Sequence, residues 1–274
     1  VFGSGPGGRI SAADVKAFVK NRSGLGGGAA GEETPGLPDF GRFGTIRREK
    51  MNQVRRITAR NTSFAWRTIP HVTQFDEADI TGLGEFLDRY RKQAEKAGGK
   101  LTVTAVAVKV LALIAREHPE FNASLDPAAD EIIFKDFVHV GIAVATPRGL
   151  LVPVIRDADT KGLIELAAEM TDLADRARNK KVTPDELEGG TITISNIGGI
   201  GGTGFTPVVY WPQAAIVGMA RAQERPVVVK KEIMIRTILP LSLSYDHRLI
   251  DGADGARFLR RFAEILENPY SLLL

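Results

Sequence analysis

From Asp39 onward the chain alternates between two hydrophobic periods, and that alternation limits the folds open to it more than any other feature. Helical spacing marks Lys50–Trp66, Gly82–Ala97, Thr102–Arg116, Leu163–Lys180 and Ala253–Glu267. Strand-like runs lie between them: His71–Asp76, Phe137–Ala145, Leu150–Val154, Thr191–Ile197, Gln213–Ala220, Glu232–Ile238 and Leu239–Tyr245. Pro70 stops the first helix, and Gly98-Gly99 ends the second. Elements mixed in this order bury their apolar faces as layers around a sheet, so the expected fold class is α/β, a mixed-sheet α/β sandwich.

Residues 1–22 read differently. A glycine-rich turn precedes a short helix with Ser11 as N-cap, Asp14 near its positive end, and Val15, Phe18 and Val19 on one face. So short a helix cannot stand alone, and it is expected to be the C-terminal part of a small helical domain. Residues 23–38 (SGLGGGAAGEETPGLP) are a flexible linker, stiffened at its end by Pro35 and Pro38. The main domain is expected to span 39–274.

Lys and Arg total 36 against 33 Asp and Glu, a balance that gives no case for nucleic acid. There is no cysteine, which removes disulfides, thiolate zinc ligation and a cysteine nucleophile. No apolar run reaches the roughly 20 residues a membrane helix needs.

Four histidines are present. His118 precedes Pro119 at a helix end and reads as a cap or surface residue, while His71 and His139 read as structural groups in strands. None has zinc-ligand spacing, so no metal site is expected. His247 follows the apolar strand PLSLSY in the run Tyr245-Asp246-His247-Arg248-Leu249-Ile250-Asp251-Gly252, where a strand opens into a loop. By spacing alone it is an ordinary turn histidine, with Asp251 as N-cap of the last helix. Gly199, Gly201 and Gly204 match a dinucleotide fingerprint, yet Pro207 and Pro212 follow where that fingerprint needs a helix. A glycine-rich hairpin bringing backbone close to a ligand is the better reading. Ser195 ends the alternating run Thr191–Ile197, where its hydroxyl could serve an oxyanion or simply face solvent. No Gly-x-Ser-x-Gly elbow surrounds it, which argues against a serine hydrolase.

Taken together, the residues resemble a known family. Asp246-His247-Arg248, with Asp251-Gly252, is similar to the Asp-His-Arg-x-x-Asp-Gly motif of the dihydrolipoamide acyltransferases of 2-oxo acid dehydrogenase complexes, whose His-x-x-x-Asp-Gly part chloramphenicol acetyltransferase shares. Gly141–Pro147 with Gly149–Val154, Thr193–Gly198, Phe205-Thr206-Pro207 and Pro212–Ile216 also resemble the family, so the resemblance covers nearly the whole chain. It implies a fold like that of chloramphenicol acetyltransferase. It implies His247 as the base, Ser195 as the oxyanion donor, and Asp251 as the group that fixes the imidazole or its loop through an arginine. Arg55, Arg56 and Arg60 are the candidate partners of Asp251, with Arg56 carried forward. Phe205, Thr206 and Asn196 are implied in substrate or cofactor binding. The substrates implied are coenzyme A and a lipoate carried on a lipoyl domain outside this chain.

The same resemblance implies a homotrimer in which His247 of one chain faces Ser195 of its neighbour. The apolar Leu272-Leu273-Leu274 tail would join trimers into a hollow core, cubic or icosahedral, with cubic preferred. Gly3–Ile10 with Asp14-Val15 is similar to the end of a peripheral subunit-binding domain, which docks the 2-oxo acid decarboxylase and the lipoamide dehydrogenase. Pro70–Asp76 and Leu241–Tyr245 look most like the pyruvate-complex enzymes of Gram-negative bacteria, which implies acetyl transfer in a bacterial cytoplasm. Branched-chain or succinyl transfer, a scaffold core without chemistry, and an acetyltransferase for a small hydroxyl or amine acceptor are the alternatives.

Overall fold

The structure, a computed structural model, describes Ala12, residues 36–147 and residues 149–273. The expected short helix after Ser11, most of the linker and Leu274 lie outside the described residues. Two compact units are present, Val1–Lys50 and Met51–Leu274. The described part of the first is exposed and holds one 3-10 turn, Phe40–Arg42, whose N-cap Asp39 accepts from the Gly41 N–H at 3.1 Å.

The second unit is built on a seven-stranded mixed sheet. Its central path runs β1 (His71–Asp79), β11 (Glu232–Asp246), β9 (Ala215–Met219), β8 (Ile192–Asn196), β4 (Val140–Ile142), β7 (Val154–Ile155), with β10 (Gln223–Val229) also paired to β11. β8 is parallel to β9 and to β4, and the other pairs are antiparallel. Two short ribbons stand apart: β2 (Ser124–Asp126) with β3 (Glu131–Ile133), and β5 (Val144–Thr146) with β6 (Gly149–Leu151).

Period-2 alternation decides which face does what. Ile192, Ile194, Ala215, Val217, Leu241, Leu243 and Tyr245 join the main core. Against them pack α3 (Val103–Glu117), α4 (Leu163–Arg178) and α5 (Gly252–Glu267), with α2 (Thr81–Lys96) alongside. α3 is apolar nearly all round and lies between α4 and α5, as expected of a helix buried on several sides. The intervening residues Thr193, Ser195, Ile216, Gly218, Ser242 and Ser244 take the opposite face. There α1 (Gln53–Thr68) and the loop after β8 form a second small cluster from Ala65, Ile69, Val209 and Ile216. The mixed-sheet sandwich is therefore as expected.

Three local expectations change. Glu232–Ile238 and Leu239–Tyr245 are one strand, β11, because Pro240 falls between the stretch paired with β10 and the stretch paired with β9, where its missing N–H breaks no ladder. β10 was not expected at all. The glycine-rich segment after Ser195 is not a hairpin: β8 and β9 are parallel, so residues 197–214 form a long crossover without a helix. Gly201 and Gly202 there have φ of 152° and 89°, backbone that side chains disfavour.

Among the described residues, no helix is long and apolar enough to cross a membrane.

Candidate active site

Ser195 lies near the end of β8, on the face away from the main core. It borders a cavity of about 630 Å³ lined mainly by apolar side chains. α1 supplies one wall through Val54, Ile57, Asn61 and Ala65, and the crossover loop supplies another through Phe205 and Val208–Trp211. Among the described residues the Ser195 hydroxyl has no hydrogen-bond partner, so its proton is free for an occupant of the cavity.

Phe205 is held close to the sheet because Gly218 faces it. A Cβ on Gly218 would lie 2.7 Å from one Phe205 ring carbon and would collide with Ser242 Oγ. Thr206 is exposed next to it and is not among the lining residues. The Asn196 amide is occupied within the fold: Nδ2 donates to Thr104 Oγ1 at 2.8 Å, and Oδ1 accepts from the Gly198 N–H at 2.7 Å.

His71 ties the cavity loop to the sheet. Its Nδ1–H donates to Ile69 O at 2.8 Å, so Nε2 is the acceptor for the Val209 N–H at 3.0 Å. The ring stacks on Trp66. Burial lowers its pKa, opposed by the Ile69 carbonyl and the charge of Asp246. His139 is likewise structural, with Nδ1 accepting from the Asp157 N–H at 2.9 Å. His118 is the C-cap of α3 and packs edge-on against Phe121 and Phe258.

His247 stands just past the end of β11. Asp246 and Arg248 build the turn that displays it. The Asp246 carboxylate takes two-pronged donation from the Arg248 guanidinium, at 2.9 and 2.6 Å, and accepts from the Arg248 N–H at 3.0 Å. The Asp246 side chain is 4% exposed and Arg248 is 30% exposed, so the ion pair is partly shielded from water. The His247 N–H donates to Pro70 O at 3.1 Å, and its exposed imidazole lies 5.9 Å from the Tyr245 ring. Tyr245 is buried under α5 at Gly255, and among the described residues its hydroxyl has no partner; burial, then the charge of Asp251, raises its pKa.

Asp251 does occupy the N-cap of α5, but its side chain makes no cap hydrogen bond. Among the described residues its carboxylate has no hydrogen bond or ion pair. Arg55, Arg56 and Arg60 lie exposed on α1, and within this chain none pairs with it.

Ser195 and His247 do not meet within one chain. Ser195 is level with Gly218 on β9, which is level with Ser242 on β11. His247 is five residues further along and two strands across, about 19 Å between backbones at standard strand dimensions. No motif in the sequence marks the cavity's α1 wall, although Val54, Ile57, Asn61 and Ala65 recur at helical spacing. Among the described residues no cluster of three metal-binding side chains exists.

The family model for the 2-oxoacid dehydrogenases acyltransferase catalytic domain matches residues 43–274. The chain is 48% identical over its whole length to the dihydrolipoyllysine-residue acetyltransferase component of the Pseudomonas aeruginosa pyruvate dehydrogenase complex, of which it covers 51%. Against its Azotobacter vinelandii counterpart it is 46% identical over 99% of its length, covering 44% of that protein. The chain thus spans about half the length of the curated relatives it matches. Two solved structures superpose with TM-scores of 0.85 at 46% identity, each covering 88% of this chain and all of the other. One is the cubic core of a pyruvate dehydrogenase multienzyme complex. The other is an Azotobacter vinelandii dihydrolipoamide acetyltransferase studied for the catalytic roles of a serine, a histidine and an asparagine. On this match, and on a fold that places Ser195 on a ligand-sized cavity and His247 at an open strand end, the chain belongs to the 2-oxoacid dehydrogenase acyltransferase family.

Proposed function

We propose that the chain transfers an acetyl group between dihydrolipoamide and coenzyme A as the core of a pyruvate dehydrogenase complex. The observation that carries this reading is the unpartnered Ser195 hydroxyl on the wall of an apolar cavity large enough for a thioester arm. In the Azotobacter enzyme the named serine and histidine are 52 positions apart, with the asparagine four beyond the histidine. Ser195 and His247 have the same separation here, and Asp251 takes the asparagine's place.

A free thiol has a pKa near ~8.5, so little thiolate exists at neutral pH. His247 removes the thiol proton as sulfur attacks the acyl carbonyl, and returns it to the departing thiol. Ser195 donates to the oxyanion of the tetrahedral intermediate, an interaction typically worth ~3–4 kcal/mol in the transition state. Asp251 steadies His247 or its loop through an arginine of α1, for which Arg56 is the choice. Phe205 shapes the cavity for the acyl donor; Thr206, exposed beside it, and Asn196, which borders a separate cavity with Thr104, are the further candidate binding residues. Both partners of a proton transfer must come within about 3 Å of the reacting atoms. The 19 Å within one chain therefore favours a site shared between copies, with His247 facing the neighbour's Ser195 in a homotrimer. Trimers then join through the C-terminal tail into a hollow, cubic core.

In this reading residues 39–274 are the catalytic domain, 23–38 a linker, and 1–22 the end of a subunit-binding domain for the decarboxylase and the lipoamide dehydrogenase. The lipoyl domain lies outside this chain, and the setting is a bacterial cytoplasm. A thioester-exchange assay with acetyl-coenzyme A and dihydrolipoamide, run beside succinyl and isobutyryl donors, tests the function. Acetyl is expected to give the highest kcat/KM, and no exchange with any donor would overturn the reading.

A further inference from the structure

Another cavity, of about 420 Å³, is lined by Lys135, Phe137, His139, Arg156, Glu188 and Gln213 among others. It shares Val152, Leu187 and Tyr210 with the Ser195 cavity, so the two adjoin. Nothing in the proposed exchange uses Lys135. Its amine is nonetheless held in an unusual way. Nζ lies 3.1 Å from Asn122 O and 2.8 Å from Ser124 Oγ. The Ser124 hydroxyl donates its own proton to Pro212 O at 2.6 Å, so toward Lys135 it can only accept. The Asn122 side chain donates to Lys135 O and Phe137 O, which anchors the backbone around the lysine. Among the described residues Lys135 has no carboxylate partner.

A neutral amine has two N–H groups and one lone pair. Both N–H groups have acceptors here, and the lone pair is left over. An ammonium would have a third N–H without a protein partner. Burial alone, with no compensating anion, pushes the Lys135 pKa down to about 8. The charged groups that share the cavity are Arg156 and Glu188, of which Arg156 donates to Asp185 O. His139 accepts at Nδ1, which places its ring proton on Nε2 as a further donor at this cavity.

We propose that Lys135 is an acylation site, whose neutral amine attacks the carbonyl of an acyl thioester reaching it from the adjoining Ser195 cavity. The Nζ–C bond forms, the C–S bond breaks, and the departing thiolate takes up the proton the amine sheds. The product is an N-acyl lysine and a free thiol. This rests on the reading of the Ser195 cavity as a thioester site, but the chemistry needs neither His247 nor a second thiol. At pH 7 an amine of pKa near 8 is free at roughly a two-hundredfold higher fraction than an ordinary lysine.

The assembled protein is incubated separately with acetyl-coenzyme A and with S-acetyl-N-acetylcysteamine, a small thioester that needs no nucleotide site. Acetylation is followed by peptide mass spectrometry from pH 7 to 9. Lys135 is expected to label at least about tenfold faster than the exposed turn residues Lys230 and Lys231, with half-maximal rate near pH 8. His247→Ala is expected to keep this labelling while losing thioester exchange. Labelling of Lys135 no faster than Lys230 with both donors overturns the proposal, even if exchange is normal. Fast labelling without exchange leaves the proposal standing and removes the exchange reading instead.

Discussion

Gly218 offers a direct test of how the cavity is built. A Cβ there would sit 2.7 and 2.9 Å from two carbons of the Phe205 ring, and closer still to Ser242 Oγ. Among the described residues the serine hydroxyl has no hydrogen-bond partner, and it can rotate away. The ring cannot, and must retreat by about 0.6–0.8 Å to regain the ordinary carbon contact of ~3.5 Å. Overpacking of this size costs about 1–3 kcal/mol. For a body of this size, each 1 kcal/mol lowers Tm by about 2–4 °C, so Gly218→Ala should lower Tm by roughly 2–12 °C at fixed protein concentration. The displaced ring also intrudes on the Ser195 cavity, so KM for the acyl donor should rise. Phe205→Leu in the Gly218→Ala background makes room for the new methyl, and the double variant should recover at least about 1 kcal/mol relative to the sum of the singles. Additive effects of the two substitutions, or an unchanged Tm for Gly218→Ala, would refute the contact as described.

Other consequences follow from the same geometry. Ser195→Ala should lower kcat by ~10²–10³-fold with a small change in coenzyme A binding, and steady-state kinetics showing an unchanged kcat would remove its oxyanion role. Arg248→Met leaves the buried Asp246 carboxylate without its counter-charge. Because Arg248 is 30% exposed, the cost should fall to about 2–3 kcal/mol, below that of a fully buried pair, and denaturant midpoints would show it. His71 is kept neutral in the fold by accepting from Val209, whereas the unfolded chain protonates near its usual pKa of ~6.5. Stability should therefore fall as pH drops below about 6.5, by at most ~1.4 kcal/mol per pH unit, until the lowered folded-state pKa is reached. His71→Asn should lose that part of the slope; an identical pH dependence of Tm in wild type and variant would count against it.

Much of this was legible in the residues. The runs TITIS and PLSLSY alternate strictly, and the fold places their isoleucines, leucines and tyrosine in the core and Thr193 and their serines on the far face. α3 was legible because it is apolar on nearly every side. β10 was not, because Gln223–Pro226 are exposed and carry Glu224, Arg225 and a proline, and the strand is defined by its pairing with β11. The crossover after Ser195 was misread because glycine density marks backbone freedom, whereas strand direction depends on partners far along the chain. For the site, His247 was found through its motif. Its distance from Ser195 is a property of register, which no local pattern encodes.

That distance is the point on which the account turns. Ser195→Ala and His247→Ala protomers, each inactive alone, can be mixed under conditions that allow subunits to reassort. If each site joins His247 of one copy to Ser195 of the next, a 1:1 random mixture should regain about a quarter of wild-type exchange activity. If both residues serve a site within one chain, no mixture restores an intact site, and activity staying at the level of the single variants would contradict the shared-site account.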